Sequence, residues 1–270
     1  MADSPSESLI YSDLMASLSL GVDGKYKVHI PGNWLQGRTT YGGLSAALCY
    51  EAGKSLRRDM ALRSAQIAFI GPAGGDVWMT AETLRAGKSS TYVGVDLYGE
   101  KGLATRAIFV FGSARPTGLQ IAPQLVAPER PAPNEQNSMF PENVGPSFIG
   151  NFQVELVAGG IPMSGAETTE NMYWLRHRDA AAPSDITALL ALTDAPPPVA
   201  LSLCSSPVRI SSMNWSIDVL TDVFETKDNW WLSKARAETI KDGYSSQSMT
   251  LWDHAGRPVL ASRQTIAIFG

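Results

Sequence analysis

Asp194 and Glu51 are the carboxylates of this 270-residue chain whose settings suit chemistry. Asp194 follows Leu190 by one helical turn and adjoins Thr193, so it falls at the edge of an apolar stripe of Ile186, Leu189, Leu190 and Thr193. Burial and the negative end of a helix both disfavour a charge there. An Asp with its usual pKa of ~3.9 is still ionised at neutral pH and can hold or deprotonate a water. The Asp-Ala-Pro step equally suits a residue that only opens a turn, and the spacing leaves both readings open. Glu51 lies beside Leu44, Ala47 and Leu48 on a helical wheel, which turns it toward a buried side and leaves catalytic and structural roles open.

Other groups narrow the chemistry. Gly42 and Gly43 would supply backbone N–H groups at a helix start, a place to hold a developing oxyanion, although close packing alone also calls for glycine. In the last apolar run Leu260, Gln264, Ile266 and Ile268 share one face, so Gln264 needs hydrogen-bond partners, either a water on a carboxylate or neighbouring core groups. His29, His177 and His254 have neither metal-ligand nor triad spacing and read as structural. There is no Gly-x-Ser-x-Gly elbow and no phosphate-binding glycine loop. Activated water fits these residues better than a covalent nucleophile.

The elements that would position these groups fall into two similar sets. A strand at 26–30 and a loop at 33–41 lead into a helix of small residues from Gly42 to about Leu56. Strands at 62–70, 77–84, 91–98 and 103–111 follow, separated by glycine turns. Residues 116–146, with seven prolines spread among polar and small residues, read as a linker. Strands are then expected at 147–157 and 172–177, followed by a helix capped by Ser184 or Asp185 and ended by Pro196-Pro197-Pro198. Further strands are expected at 208–219, 230–239, 246–252 and 259–269.

The second set repeats the first most clearly at its end. Trp78, a strand, Gly87-Lys88-Ser89-Ser90, another strand, a glycine turn, and a last strand closing on Phe111-Gly112 lay onto Trp231, Gly243-Tyr244-Ser245-Ser246 and Phe269-Gly270. Two copies of a helix wrapped by an antiparallel sheet make an α+β fold. The expected organisation is a frayed tail at 1–21 with one short amphipathic turn, a first unit at 22–115, the linker at 116–146, and a second unit at 147–270.

Composition limits the partners. A net charge of -4 and a pI near 5.4 argue against a nucleic-acid backbone. Cys49 and Cys204 have no metal or disulfide spacing and predict buried free thiols in a reducing, cytoplasmic setting. The opening residues predict no secretory signal, and no apolar run approaches the ~18 residues of a membrane span.

A helix wrapped by an antiparallel sheet, duplicated in one chain, resembles the double hotdog fold. More narrowly, Tyr41-Gly42-Gly43, Ala68-Phe69-Ile70-Gly71-Pro72, Ala81-Glu82-Thr83-Leu84-Arg85, Leu189-Leu190 with Thr193-Asp194, 210–216 and 260–264 resemble, in order, the acyl-CoA thioesterase II family. That resemblance implies hydrolysis of a small-molecule acyl-CoA without a further cofactor, with Asp194 activating water. It implies Ser212 and Gln264 as the hydroxyl and amide that position the water. Gly42, Gly43 and Thr193 are the implied substrate contacts. Arg57, Arg58, Lys88 and Arg263 are open as phosphate partners of coenzyme A, and Trp215, Trp230 and Trp231 as lining of an acyl channel or as core. Asn214-Trp215 stands where close members carry Asp-His. Rivals on the same fold are an acyl-thioester hydratase or dehydratase, and a non-catalytic acyl-thioester binder. A chain holding both units can stand as a monomer, and the resemblance also allows a homo-oligomer.

Overall fold

Gly42 to Lys54 contains no proline and no β-branched residue, and its alanines and leucines favour a helix while its small side chains let neighbours approach from most sides. The computed structural model describes residues 8–141 and 144–270. In the first half the chain forms α1 (Tyr11–Ala16), β1 (Ser19–Leu20), β2 (Tyr26–Ile30), β3 (Leu35–Gln36), β4 (Thr39–Thr40) and α2 (Gly42–Lys54). It continues through β5 (Ala61–Phe69), β6 (Gly75–Ala86), β7 (Ser90–Gly99) and β8 (Gly102–Gly112). The second half forms β9 (Phe152–Ala158), β10 (Glu170–His177), α3 (Ile186–Thr193) and α4 (Val199–Leu203). It ends with β11 (Arg209–Val219), β12 (Trp231–Lys241), β13 (Tyr244–Trp252) and β14 (Pro258–Phe269).

All strands but the short β3–β4 hairpin join one antiparallel sheet in the order β1-β2-β6-β7-β8-β5-β11-β14-β13-β12-β10-β9. The halves meet where β5 pairs with β11, from Ala68 opposite Asn214 to Ser64 opposite Asp218. Outward from that seam the order is β5-β8-β7-β6-β2 on one side and β11-β14-β13-β12-β10 on the other. The duplicated sequence therefore builds a duplicated sheet, the double hotdog arrangement expected from it.

The central helices lie against each other, antiparallel. At one end Tyr41 Oη donates to the Ala191 carbonyl at 2.9 Å, and at the other Thr187 Oγ1 donates to Glu51. A Cβ on Gly53 would stand 3.1–3.4 Å from Val95, Phe109 and Val93, so α2 also presses closely on the sheet. One apolar cluster runs through both halves, and Trp174, Trp230, Leu232 and Trp252 form a smaller second one.

Two expectations change and a third gains detail. The tail at 1–21 is not frayed over its described part: α1 buries Tyr11 and Leu14, and the Tyr11 ring lies 4.5 Å from that of His177. Residues 1–7 of that tail lie outside the described residues. The strand expected from 147 starts only at Phe152, because Ser147–Asn151 forms a 3-10 turn that folds Phe148 and Ile149 inward. The proline-rich stretch forms no helix or strand among its described residues, yet it is strapped to the second half. Trp252 Nε1 donates to Leu125 O at 2.8 Å, Trp174 Nε1 to Pro131 O at 3.0 Å, and Met139 N to Val154 O at 2.7 Å.

Candidate active site

Asp185 starts α3 by accepting from Ala188 N at 2.9 Å, and eight buried residues later the helix stops at Asp194, which occupies its C-cap. Prolines at 196–198 cannot continue it. The first turn of α2 meets this end at a distance only glycine allows. A Cβ on Gly43 would sit 2.7 Å from the Ala191 carbonyl, and one on Gly42 would sit 2.8 Å from Asp194 Oδ2. Asp194 thus lies at the negative end of its own helix and at the positive end of the other, where unpaired first-turn N–H groups favour an anion.

Asp194 and Gly42 share a cleft of about 330 Å³ between the two halves. Thr39, Thr40, Ser45, Phe69, Ala104 and Thr105 line it from the first half, and Ile210, Ser211 and Ser212 from the second. A register shift between Ser212 and Asn214, opposite β14, marks an extra residue at Met213. Such a bulge lets Ile210 and Ser212 face the cleft while Trp215 and Ile217 on the same strand face the core.

Gln264 does not line the cleft; it sits behind Asp194. Its Nε2 donates to Asp194 Oδ1 at 2.6 Å from a nearly fully buried position on β14. Burial pushes the Asp194 carboxyl up to about 6, against pulls downward from the Gln264 hydrogen bond and the Gly43 backbone N–H. An acid tuned to that value is mostly ionised at neutral pH and basic enough to accept a proton from water.

The structure brings Asp194, Gln264, Ser212, Gly42 and Gly43 together and leaves Thr193 outside. Thr193 Oγ1 donates to Leu189 O at 2.7 Å within α3, so its hydroxyl is used by its own helix. Gly43 contacts Asp194 and Ala191 rather than the cleft, leaving Gly42 as the glycine that faces it. Glu51 stands at the opposite end of the helix pair, bound by Lys54 Nζ at 2.9 Å and by Thr187. Of the basic residues considered for phosphate, none lines the cleft; Arg57 pairs with Asp59. Trp215, Trp230 and Trp231 are core residues. Asn214 is exposed, and its Oδ1 accepts from Thr265 N at 3.3 Å. Cys49 is buried, whereas Cys204 is half-buried.

None of the three histidines lines the cleft. His177 donates through Nε2 to Ala188 O at 2.9 Å, and burial pushes its pKa down to about 4, so it stays neutral. Among the described residues no group of three His, Cys, Asp or Glu side chains is arranged to hold a metal. No described helix is long and apolar enough to cross a membrane. Sequence reasoning missed the hairpin residues Thr39 and Thr40 at the cleft and Gln247 behind Gln264. The face rule that singled out Gln264 also marks Gln247, which shares a buried face with Ser245, Met249 and Leu251.

The same architecture recurs in solved structures. A conserved protein with a hot dog fold from Alicyclobacillus acidocaldarius superposes with a TM-score of 0.85 at 22% identity, over 96% of this chain and 98% of that one. The tesB protein of Mycobacterium avium subspecies paratuberculosis gives 0.76 at 15% identity, over 96% and 99%. The acyl-CoA thioesterase II TesB2 of Mycobacterium marinum gives 0.72 at 16%, over 96% and 97%. No curated protein sequence matches. Residues 30–112 match the acyl-CoA thioesterase N-terminal domain, and residues 125–268 match the acyl-CoA thioesterase C-terminal domain. With both domains matched in order across most of its length, the chain belongs to the acyl-CoA thioesterase family and is a thioester hydrolase.

Proposed function

We propose that this protein hydrolyses an acyl-CoA to the free acid and coenzyme A, with Asp194 as the general base toward water. The observation that carries this reading is a carboxylate lining the cleft, raised to about 6 by burial, with one oxygen held by Gln264 and the other facing Gly42. A water on Asp194 Oδ2 would attack the thioester carbonyl carbon as its proton passes to the carboxylate. The tetrahedral oxyanion would then expel the thiolate, which takes a proton, so water and thioester become acid and thiol. The Gly42 amide at the start of α2 is the group aimed at the developing oxyanion, and Ser212 across the cleft is a hydroxyl for the attacking water.

The acyl-CoA class rests on the family, and the apolar cleft residues Phe69, Ile70, Ala104 and Ile210 suit an acyl group beside the thioester. Thr193 has no part in this scheme, since α3 already uses its hydroxyl. The test is a panel of short, medium and long acyl-CoAs, following free thiol and free acid together. Equal amounts of both products support hydrolysis. Binding without turnover would point instead to a binding protein on the same fold.

A further inference from the structure

Gln264 can serve Asp194 only if its NH2 end faces the carboxylate, because its carbonyl oxygen in that place would repel the charge. An amide side chain can be turned either way round, so something must set its direction. The fixed end of the chain of bonds is a backbone group. Val199 is the first residue of α4, preceded by Pro198, and its N–H points to Gln247 Oε1 at 3.2 Å. A backbone N–H cannot be turned into an acceptor, so Gln247 must present its oxygen to it. That leaves Gln247 Nε2 to donate to Gln264 Oε1 at 3.1 Å, with a second contact to Met249 Sδ at 3.3 Å. Gln264 Oε1 is thereby occupied, and its Nε2 is the end that reaches Asp194 Oδ1. Both glutamines are nearly fully buried, at 2% and 3% exposure, so bulk water does not compete for these bonds.

We infer that Gln247 is a positioning residue: anchored by the Val199 amide, it sets the direction of the Gln264 amide and through it holds the Asp194 carboxylate as an acceptor. The inference rests on the hydrolytic reading above for its effect on rate, but not for the bond pattern itself. Tyr41, at the start of the facing helix α2, is a titratable group that feels the Asp194 charge. Its hydroxyl donates to Ala191 O and its pKa lies well above the usual tyrosine range, so it stays neutral while Asp194 titrates.

The test is a double-mutant cycle of Gln247→Met and Gln264→Ala with acyl-CoA as substrate. Gln247→Met should lower kcat about tenfold with KM changed less than about twofold, and should move the acidic limb of the pH profile upward. In the Gln264→Ala background the same change should add almost nothing, because the relay is already cut. Losses that multiply, or an acidic limb that does not move, would overturn the inference and leave Gln247 with packing alone. Should Gln247→Met fail to fold, the wild-type protein answers by NMR of its glutamine side-chain amides. The Gln264 and Gln247 NH2 resonances should both shift with one midpoint near pH 6; a Gln247 signal that does not follow would contradict the relay. The NMR reading stands even if the hydrolytic scheme fails, so the two failures are distinguishable.

Discussion

Gln264 Nε2 binds Asp194 Oδ1 at 2.6 Å, so one carboxylate oxygen is held from inside the protein and Oδ2 is left toward Gly42 and the cleft. This divides the labour at the site. Gln264 and the Gly43 N–H hold the carboxylate from within, and Oδ2 stands beside Gly42, which lines the cleft. It also modifies the expectation that Gln264 positions the water itself, because Gln264 stands behind Asp194 rather than in the cleft.

Activity should titrate with Asp194. The scheme needs the ionised carboxylate, and burial places its pKa at about 6. The profile of kcat/KM against pH should therefore fall below about pH 6, tenfold per unit, and level off above it. A limb near the ordinary carboxylate range would mean that another group is the base.

The same shift costs stability, with a definite sign. The unfolded chain ionises Asp194 near pH 4 and the folded chain only near 6, so the native state is penalised progressively as pH rises through that interval. Asp194→Asn should thus be more stable than wild type at pH 8 by about 1–2 kcal/mol, less than the full shift implies because the carboxylate opens on the cleft. Below about pH 4 the difference should vanish. Thermal melts at both pH values check this.

The two glycines should fail differently. Gly43→Ala would drive a Cβ onto the Ala191 backbone carbonyl, which cannot step aside without parting α2 from α3, so it should destabilise by about 1–3 kcal/mol. Gly42→Ala would meet Asp194 Oδ2 and the Phe69 ring, both side chains that can move, and should cut kcat more than it lowers the melting temperature. Melting curves beside kcat for each variant separate the two effects.

Glu51→Gln should leave the rate within about twofold of wild type. Its carboxylate is tied to Lys54 and Thr187 at the far end of the helix pair, away from the cleft, so its loss is a small change in stability. A large loss of kcat would instead return Glu51 to the catalytic candidates.

The small-residue helix from Gly42, the capped helix ending at Asp194 and the repeated meander were legible because each carries its own period and stop signals. The 3-10 turn at Ser147–Asn151 was not, since Phe148 and Ile149 look like a strand until the Tyr41 ring, stacked on Phe148 at 4.1 Å, shows what folds them inward. The five-residue helix α4 is too short to show a period, and with it went the Val199 amide that anchors Gln247. The bulge at Met213 is likewise a product of pairing with β14, invisible in the strand's own residues. Asp194 was readable as a position; its partners come from strands and helices far away in the chain.

The most direct test of the account compares thiol release by wild type and Asp194→Asn in parallel, on the acyl-CoA the wild type turns over best. In Asp194→Asn kcat should fall roughly a hundredfold or more, with the variant folded and still binding acyl-CoA. Release at the wild-type rate from a folded Asp194→Asn protein would contradict it.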